Sequence, residues 1–135
     1  MTDTPGHSTG RPVRLPPASL TAWCSEVFVS VGMRRPDAGC LASVLVETEA
    51  RAVPTHGLIL LGRLYDALAT GELNPRPKIR VLARRSAVVQ IDGDNGPGQV
   101  VATAAMRQAV ARARRTGVGI AAVRNSNHFG AAAIF

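Results

Sequence analysis

The 135-residue sequence is poor in aromatic residues, in lysine, in acid and in cysteine. Tryptophan and tyrosine occur once each and phenylalanine three times, 4% in all, so the stacked aromatic platforms that hold single-stranded nucleic acid are missing. Two cysteines, Cys24 and Cys40, make no disulfide framework. Their helical surroundings predict reduced, buried thiols in a cytoplasmic protein. No apolar run approaches the roughly 20 residues of a membrane helix, and the opening MTDTPGHSTGRPVRLPP lacks the apolar stretch of a secretory signal. The three histidines are not spaced with acids or thiols as metal ligands are, which leaves a metal site unsupported.

What is present is a chain with 46% hydrophobic and 19% charged residues, enough for the core of one small domain. The net charge is +7, and 15 of the 16 basic side chains are arginine, Lys78 being the exception. Arg107, Arg112, Arg114 and Arg115 cluster late in one predicted helix, with Arg84 and Arg85 at a predicted turn. Such a cluster suits phosphate binding. It equally suits the polar face and the negative C-terminal end of an amphipathic helix. With so few aromatics, nucleic-acid binding is the disfavoured class.

Residues 1–17 hold Pro, Gly, Ser, Thr and Arg without periodicity and read as a flexible leader. Residues 18–77 read as a helical segment. Leu20, Trp23, Cys24, Val27, Phe28 and Val31 repeat at steps of three and four up to Gly32. A second helix follows from Pro36 to about Arg51. A third is predicted from Thr55 and His56 through Leu68, closed by Gly71. Residues 78–135 change period. Ile79–Leu82 and Ala87–Ile91 predict a hairpin, Asp92–Gly98 a loop, and Gln99–Arg115 a helix with Val100, Val101, Ala104, Ala105, Ala109 and Val110 inward. Val118–Val123 predicts a third strand, Asn125–His128 a polar turn, and Phe129–Phe135 the start of another helix. The class is α/β, without internal repeats. The apolar, uncapped run at Phe135 suggests an element cut short.

Two imidazoles stand out, because imidazole titrates near neutrality and can give or take a proton during turnover. His56 lies in Val53-Pro54-Thr55-His56-Gly57, beside a hydroxyl residue at a predicted helix start; the plain alternative is a capping histidine. His128 lies in Arg124-Asn125-Ser126-Asn127-His128-Phe129-Gly130, just past a predicted strand, where ligands of α/β folds collect. The neighbouring polar side chains could fix its tautomer, and the alternative is an ordinary Asn/Ser turn. Two other motifs fail on context. Gly117-Val118-Gly119-Ile120-Ala121-Ala122 spells a dinucleotide fingerprint, yet it ends a helix and opens a strand, the reverse of what phosphate binding needs. Asp92-Gly93-Asp94-Asn95-Gly96 begins like a calcium loop but has Gly96 at the third ligand position and Thr103 where Glu is required.

Three stretches resemble the malate/L-lactate/sulfolactate dehydrogenase family, NAD(P)-dependent oxidoreductases without a Rossmann domain. They are Thr55-His56-Gly57-Leu58 with Tyr65, Gly71 and Leu73-Asn74-Pro75; Ile91 through Gln99; and Gly117-Val118-Gly119 with Val123 through Ala132. The resemblance spans residues 18–135. It implies reversible oxidation of a malate- or lactate-like 2-hydroxy acid to a 2-oxo acid with NAD or NADP, in a homodimer. His56 and His128 correspond to the family's proposed acid/base positions. The resemblance also makes 78–135 the opening of a cofactor and substrate domain, and the chain an N-terminal piece of a larger enzyme whose cofactor contacts lie mostly beyond Phe135. Where many members carry Arg and Tyr four and eight residues after the first histidine, this chain has Leu60 and Leu64. Arg63 or Tyr65 is then the expected substitute for binding the substrate carboxylate, with Thr55 beside it. A relative that has lost catalysis and acts only through dimer contacts is the alternative. The 135-residue chain alone is expected not to consume NAD(P)H with any of a panel of 2-oxo acids; robust turnover in that absorbance assay would refute the partial-enzyme reading.

Overall fold

The computed structural model describes residues 14–135. Most of the expected leader therefore lies outside the described residues, and its end is earlier than expected, because Pro17 already opens α1 (Pro17–Ser30). Proline suits that position, where its missing N–H would have no helical partner. Pro36 does the same for α2 (Arg35–Ala50). The chain turns between them at Gly32, whose φ of +94° glycine accepts without strain.

α1 and α2 meet along Cys24, Phe28, Leu41, Ala42 and Leu45, all 0% exposed, and α3 (Leu61–Ala69) closes this core with Ala67 and Leu68. Trp23, expected on the apolar face, is instead exposed. Cys24 and Phe28 form a narrow i, i+4 stripe, and one residue back along a helix is a rotation of roughly 100° away from it. Cys40 is half-buried rather than buried, with its thiol donating to Thr103 Oγ1 at 3.3 Å.

The third helix starts later than the sequence suggests. Two short 3-10 turns, Pro54–His56 and Leu58–Leu60, precede α3, separated by Gly57 at φ −96°, ψ −136°. The extended Gly57 breaks the helical path because its backbone lies against the last turn of α2. A Cβ there would meet the Glu49 carboxylate and stand 3.1 Å from the Glu49 amide nitrogen.

Strands β1 (Arg80–Arg84), β2 (Val88–Gly96) and β3 (Ile120–Ser126) form one sheet in that order. β1 pairs antiparallel with β2; β3 pairs parallel, after the crossover helix α4 (Gly98–Thr116). Val89 and Ile91 point at Ala105 of α4, and Val100 joins the helical core. Val110, expected inward, is exposed one residue past the buried Ala109. Gly117 ends α4 in the left-handed conformation expected of it, φ +80°.

Two further expectations change. Asp92–Gly98 is not a loop throughout: Asp94 and Asn95 take left-handed φ of 51° and 55°, and the ladder then resumes where Gly96 pairs with Ser126. Asn125 and Ser126, expected in a turn, thus belong to β3. Phe129–Phe135 yields only the 3-10 turn Ala132–Ile134, because Gly130 at φ +86° redirects the chain. Among the described residues, no helix is long and apolar enough to cross a membrane. Replacing Leu45 with Ala is expected to cost ~2–5 kcal/mol of unfolding free energy. Trp23→Ala should stay within ~0.5 kcal/mol, both read from denaturant midpoints at unchanged slope.

Candidate functional site

Glu49 sits in the last turn of α2, and its Oε2 accepts the Leu58 N–H at 2.9 Å. That bond, with the close approach at Gly57, docks the Pro54–His56 turn onto α2. Within the turn, Thr55 Oγ1 lies 3.0 Å from His56 Nδ1. A hydroxyl both donates and accepts, so this contact leaves either tautomer open.

The second imidazole arrives from the sheet. Asp92, at the last in-register position of β2, is buried and accepts the Asp94 N–H at 3.0 Å and Asn125 Nδ2 at 3.1 Å. Arg124 reaches its Oδ2 with Nε at 3.2 Å and with Nη2 at 3.0 Å. The Asp94 amide, then Asn125, outweigh burial and with Arg124 hold the Asp92 carboxyl down to about 2. Asn125 itself is left-handed, φ 51°, and the bond to Asp92 holds its side chain. Asn127 then donates to Gly96 O at 3.0 Å and to Asn95 Oδ1 at 3.1 Å. These side chains fix the backbone on either side of Ser126. The His128 tautomer is set by a different group than the sequence suggests. The Gly130 backbone N–H donates to His128 Nδ1 at 3.3 Å, which puts the neutral ring's proton on Nε2.

The two turns meet. The rings of His56 and His128, 72 residues apart in sequence, stack with centroids 5.3 Å apart and planes 26° from parallel. Beside them is a cleft of about 250 Å³ lined by Thr55, Leu60, Arg63, Leu64, Ala67, Glu72, Leu73, Asn127 and His128. Thr55, Arg63 and His128 thus share one space, and His56 adjoins it through the stacked ring. Tyr65 lies outside the lining, which leaves Arg63 as the carboxylate-binding candidate. Glu49 and Glu72 carry no motif by which sequence could single them out, whereas Asn127 lies in the Arg124–Gly130 stretch and Asp92 in both the rejected calcium loop and the Ile91–Gln99 stretch. A larger groove of about 790 Å³ between α2 and α4 includes Cys40, Arg107 and Arg114 but no imidazole.

Among the described residues, no group of three or more His, Cys, Asp or Glu is placed to hold a metal ion. The glycine-rich junction into α4 does not form a dinucleotide cradle. It is filled by protein: a Cβ at Gly93 would stand 2.6 Å from the Asn125 carbonyl, and at Gly96 2.7 Å from the Pro77 ring. At Gly98 it would meet the carbonyls of Asn127 and His128. The Gln99 amide has neither its nitrogen nor its oxygen paired, but it is fully buried beneath Gly130 and closed to a ligand. The reversed fingerprint is also accounted for by packing, since Gly119 lets β3 start against the Ala109 carbonyl.

The family profile of malate/L-lactate dehydrogenase matches residues 15–135. A malate dehydrogenase of Pyrococcus abyssi is 37% identical over 123 residues, 91% of this chain and 34% of the relative. The solved structure of a sulfolactate dehydrogenase of Methanocaldococcus jannaschii superposes with a TM-score of 0.84 at 36% identity, over 87% of this chain and 34% of that one. The ureidoglycolate dehydrogenase (NAD(+)) of Escherichia coli K12 is 29% identical over 104 residues, 77% of this chain and 30% of that enzyme. The chain spans about a third of the length of these curated relatives.

Because Asp92 is more acidic folded than its ordinary value of 3.8, its contribution to stability is complete above that pH and is lost as the pH falls through about 2. Thermal melts across that window should show Asp92→Asn with a lower Tm at neutral pH and a flatter acid limb. A variant that keeps the full acid limb would remove Asp92 from this role.

Proposed function

Because the chain belongs to the malate/L-lactate dehydrogenase family, we propose that it forms the acid-handling part of an oxidoreductase that interconverts a 2-hydroxy acid and its 2-oxo acid with NAD or NADP. The observation that carries this reading is the stacked His56–His128 pair at the edge of a cleft that also contains Arg63. The guanidinium is a fork that matches a carboxylate at two points, so Arg63 binds the substrate's acid group. Thr55 contributes a hydroxyl to the same wall. The hydride partner is a nicotinamide whose contacts lie mostly outside this chain.

The histidines divide the proton work. When hydride reaches the carbon of a 2-oxo acid, its oxygen gains alkoxide charge and must receive a proton. His128, with its proton on Nε2, donates a hydrogen bond to that oxygen. A second proton on His128 Nδ1 would face the Gly130 N–H. His56 has no such conflict, because the Thr55 oxygen can accept from its Nδ1–H. His56 is therefore the ring that carries the transferable proton, and in oxidation it takes the proton back. Homodimerisation, a cytoplasmic location and the assignment of residues 78–135 to a cofactor and substrate domain complete the reading.

The test is steady-state kinetics in the enzyme that carries this chain. His56→Ala should lower kcat by ~10²–10⁴. His128→Gln, which keeps an N–H donor, should retain more activity than His128→Ala. Unchanged kcat in all three variants would favour a non-catalytic relative that acts through dimer contacts, a reading that Leu60 and Leu64 otherwise motivate.

A further inference from the structure

Resting on the reading just given, we propose that the cleft selects 2-oxo and 2-hydroxy monocarboxylates with a branched apolar side chain and rejects substrates with a second anionic group. Among the described residues the cleft wall offers one permanent cation, Arg63. A 2-oxo acid brings one carboxylate to meet it. The rest of the substrate then faces Leu60, Leu64, Ala67 and Leu73, all apolar and without a donor on their side chains. Leu73 is buried and Ala67 nearly so, which makes this wall part of the helical core and not a mobile surface.

A dianion such as oxaloacetate brings a second carboxylate that finds no second guanidinium or ammonium in the lining among the described residues. It meets Glu72, an exposed acid at the same cleft. Rejection therefore has two sources: an unpaired charge placed against leucine, and repulsion from a like charge. Size points the same way. About 250 Å³ is below the range of cofactor-sized pockets and accommodates an acid with a short branched chain.

The probes are ketoleucine (the 2-oxo acid of leucine), pyruvate and oxaloacetate. With the enzyme that carries this chain, kcat/KM should be ~10-fold or more higher for ketoleucine than for pyruvate, the range that added methylenes reach in an apolar pocket. Ketoleucine should exceed oxaloacetate by at least the same factor. Glu72→Gln should narrow the ketoleucine-to-oxaloacetate ratio several-fold by raising the oxaloacetate value. Independently of turnover, ketoleucine should move the ring C–H resonances of His128 in NMR titrations of this chain at concentrations where oxaloacetate does not. Turnover of oxaloacetate equal to or above that of ketoleucine overturns the selectivity and leaves the oxidoreductase reading standing. Absence of both turnover and His128 perturbation with every 2-oxo acid overturns both.

Discussion

Between β2 and β3 the parallel ladder runs in register from Val88 to Asp92 and then breaks before Gly96, and the Asp92 carboxylate spans the break. It accepts from a backbone amide two residues ahead, from the side chain of Asn125 and from Arg124 on the neighbouring strand. Three residues near it, Asp94, Asn95 and Asn125, hold left-handed backbone that side chains other than glycine rarely adopt. Asp and Asn tolerate that conformation better than other side chains, and here each is held by a partner distant in sequence: Asp94 accepts from Asn74 and the Lys78 N–H, Asn95 donates to the Glu72 carbonyl, and Asn125 donates to Asp92. Everything downstream of Asn125, including the direction in which Asn127 and His128 leave the sheet, follows from that bonded corner.

A second carboxylate plays the matching part on the helical side. Glu49 accepts one N–H from the turn that carries His56, and its closeness explains why position 57 is glycine. Each imidazole is thus placed by a carboxylate that touches backbone and not the ring. The rings meet where the α2–α3 side of the molecule adjoins the end of the sheet, a few residues from the α4 N-terminus, whose Gly98 lies against Asn127 and His128.

The elements with clear periodicity were legible in the sequence. α1, α2 and α4 follow from apolar spacing with Pro or Gly at their ends, and the hairpin follows from the switch of period at Ile79. The errors fall where tertiary contact overrides local preference. Thr55–His56 resembles a helix start, but Gly57 must pass close to Glu49. Asp92–Gly98 has loop composition, but its Gly96 rejoins β3. Phe129–Phe135 has helical composition, but Gly130 interrupts it. Trp23 and Val110 fit the apolar repeat and miss the buried stripe by one residue's rotation. The histidines were legible singly because imidazole is chemically conspicuous. Their stacking was not, because it depends on contacts between residues distant in sequence, Glu49 with the Leu58 N–H and Asp92 with Arg124 and Asn125.

The stacked rings straddle the join between the helical side and the sheet. Neither 3-10 turn before α3 contributes a fully buried residue, and the segment 127–131 contributes none either. Such segments open at lower free energy than the cores beneath them. The imidazole pair is therefore a gauge of that join: a slip of an ångström or two between the two sides separates the rings while Phe28, Leu45 and Ile91 stay packed. The contact between the rings is more fragile than the fold, and warming would part them while the helices and the sheet remained intact.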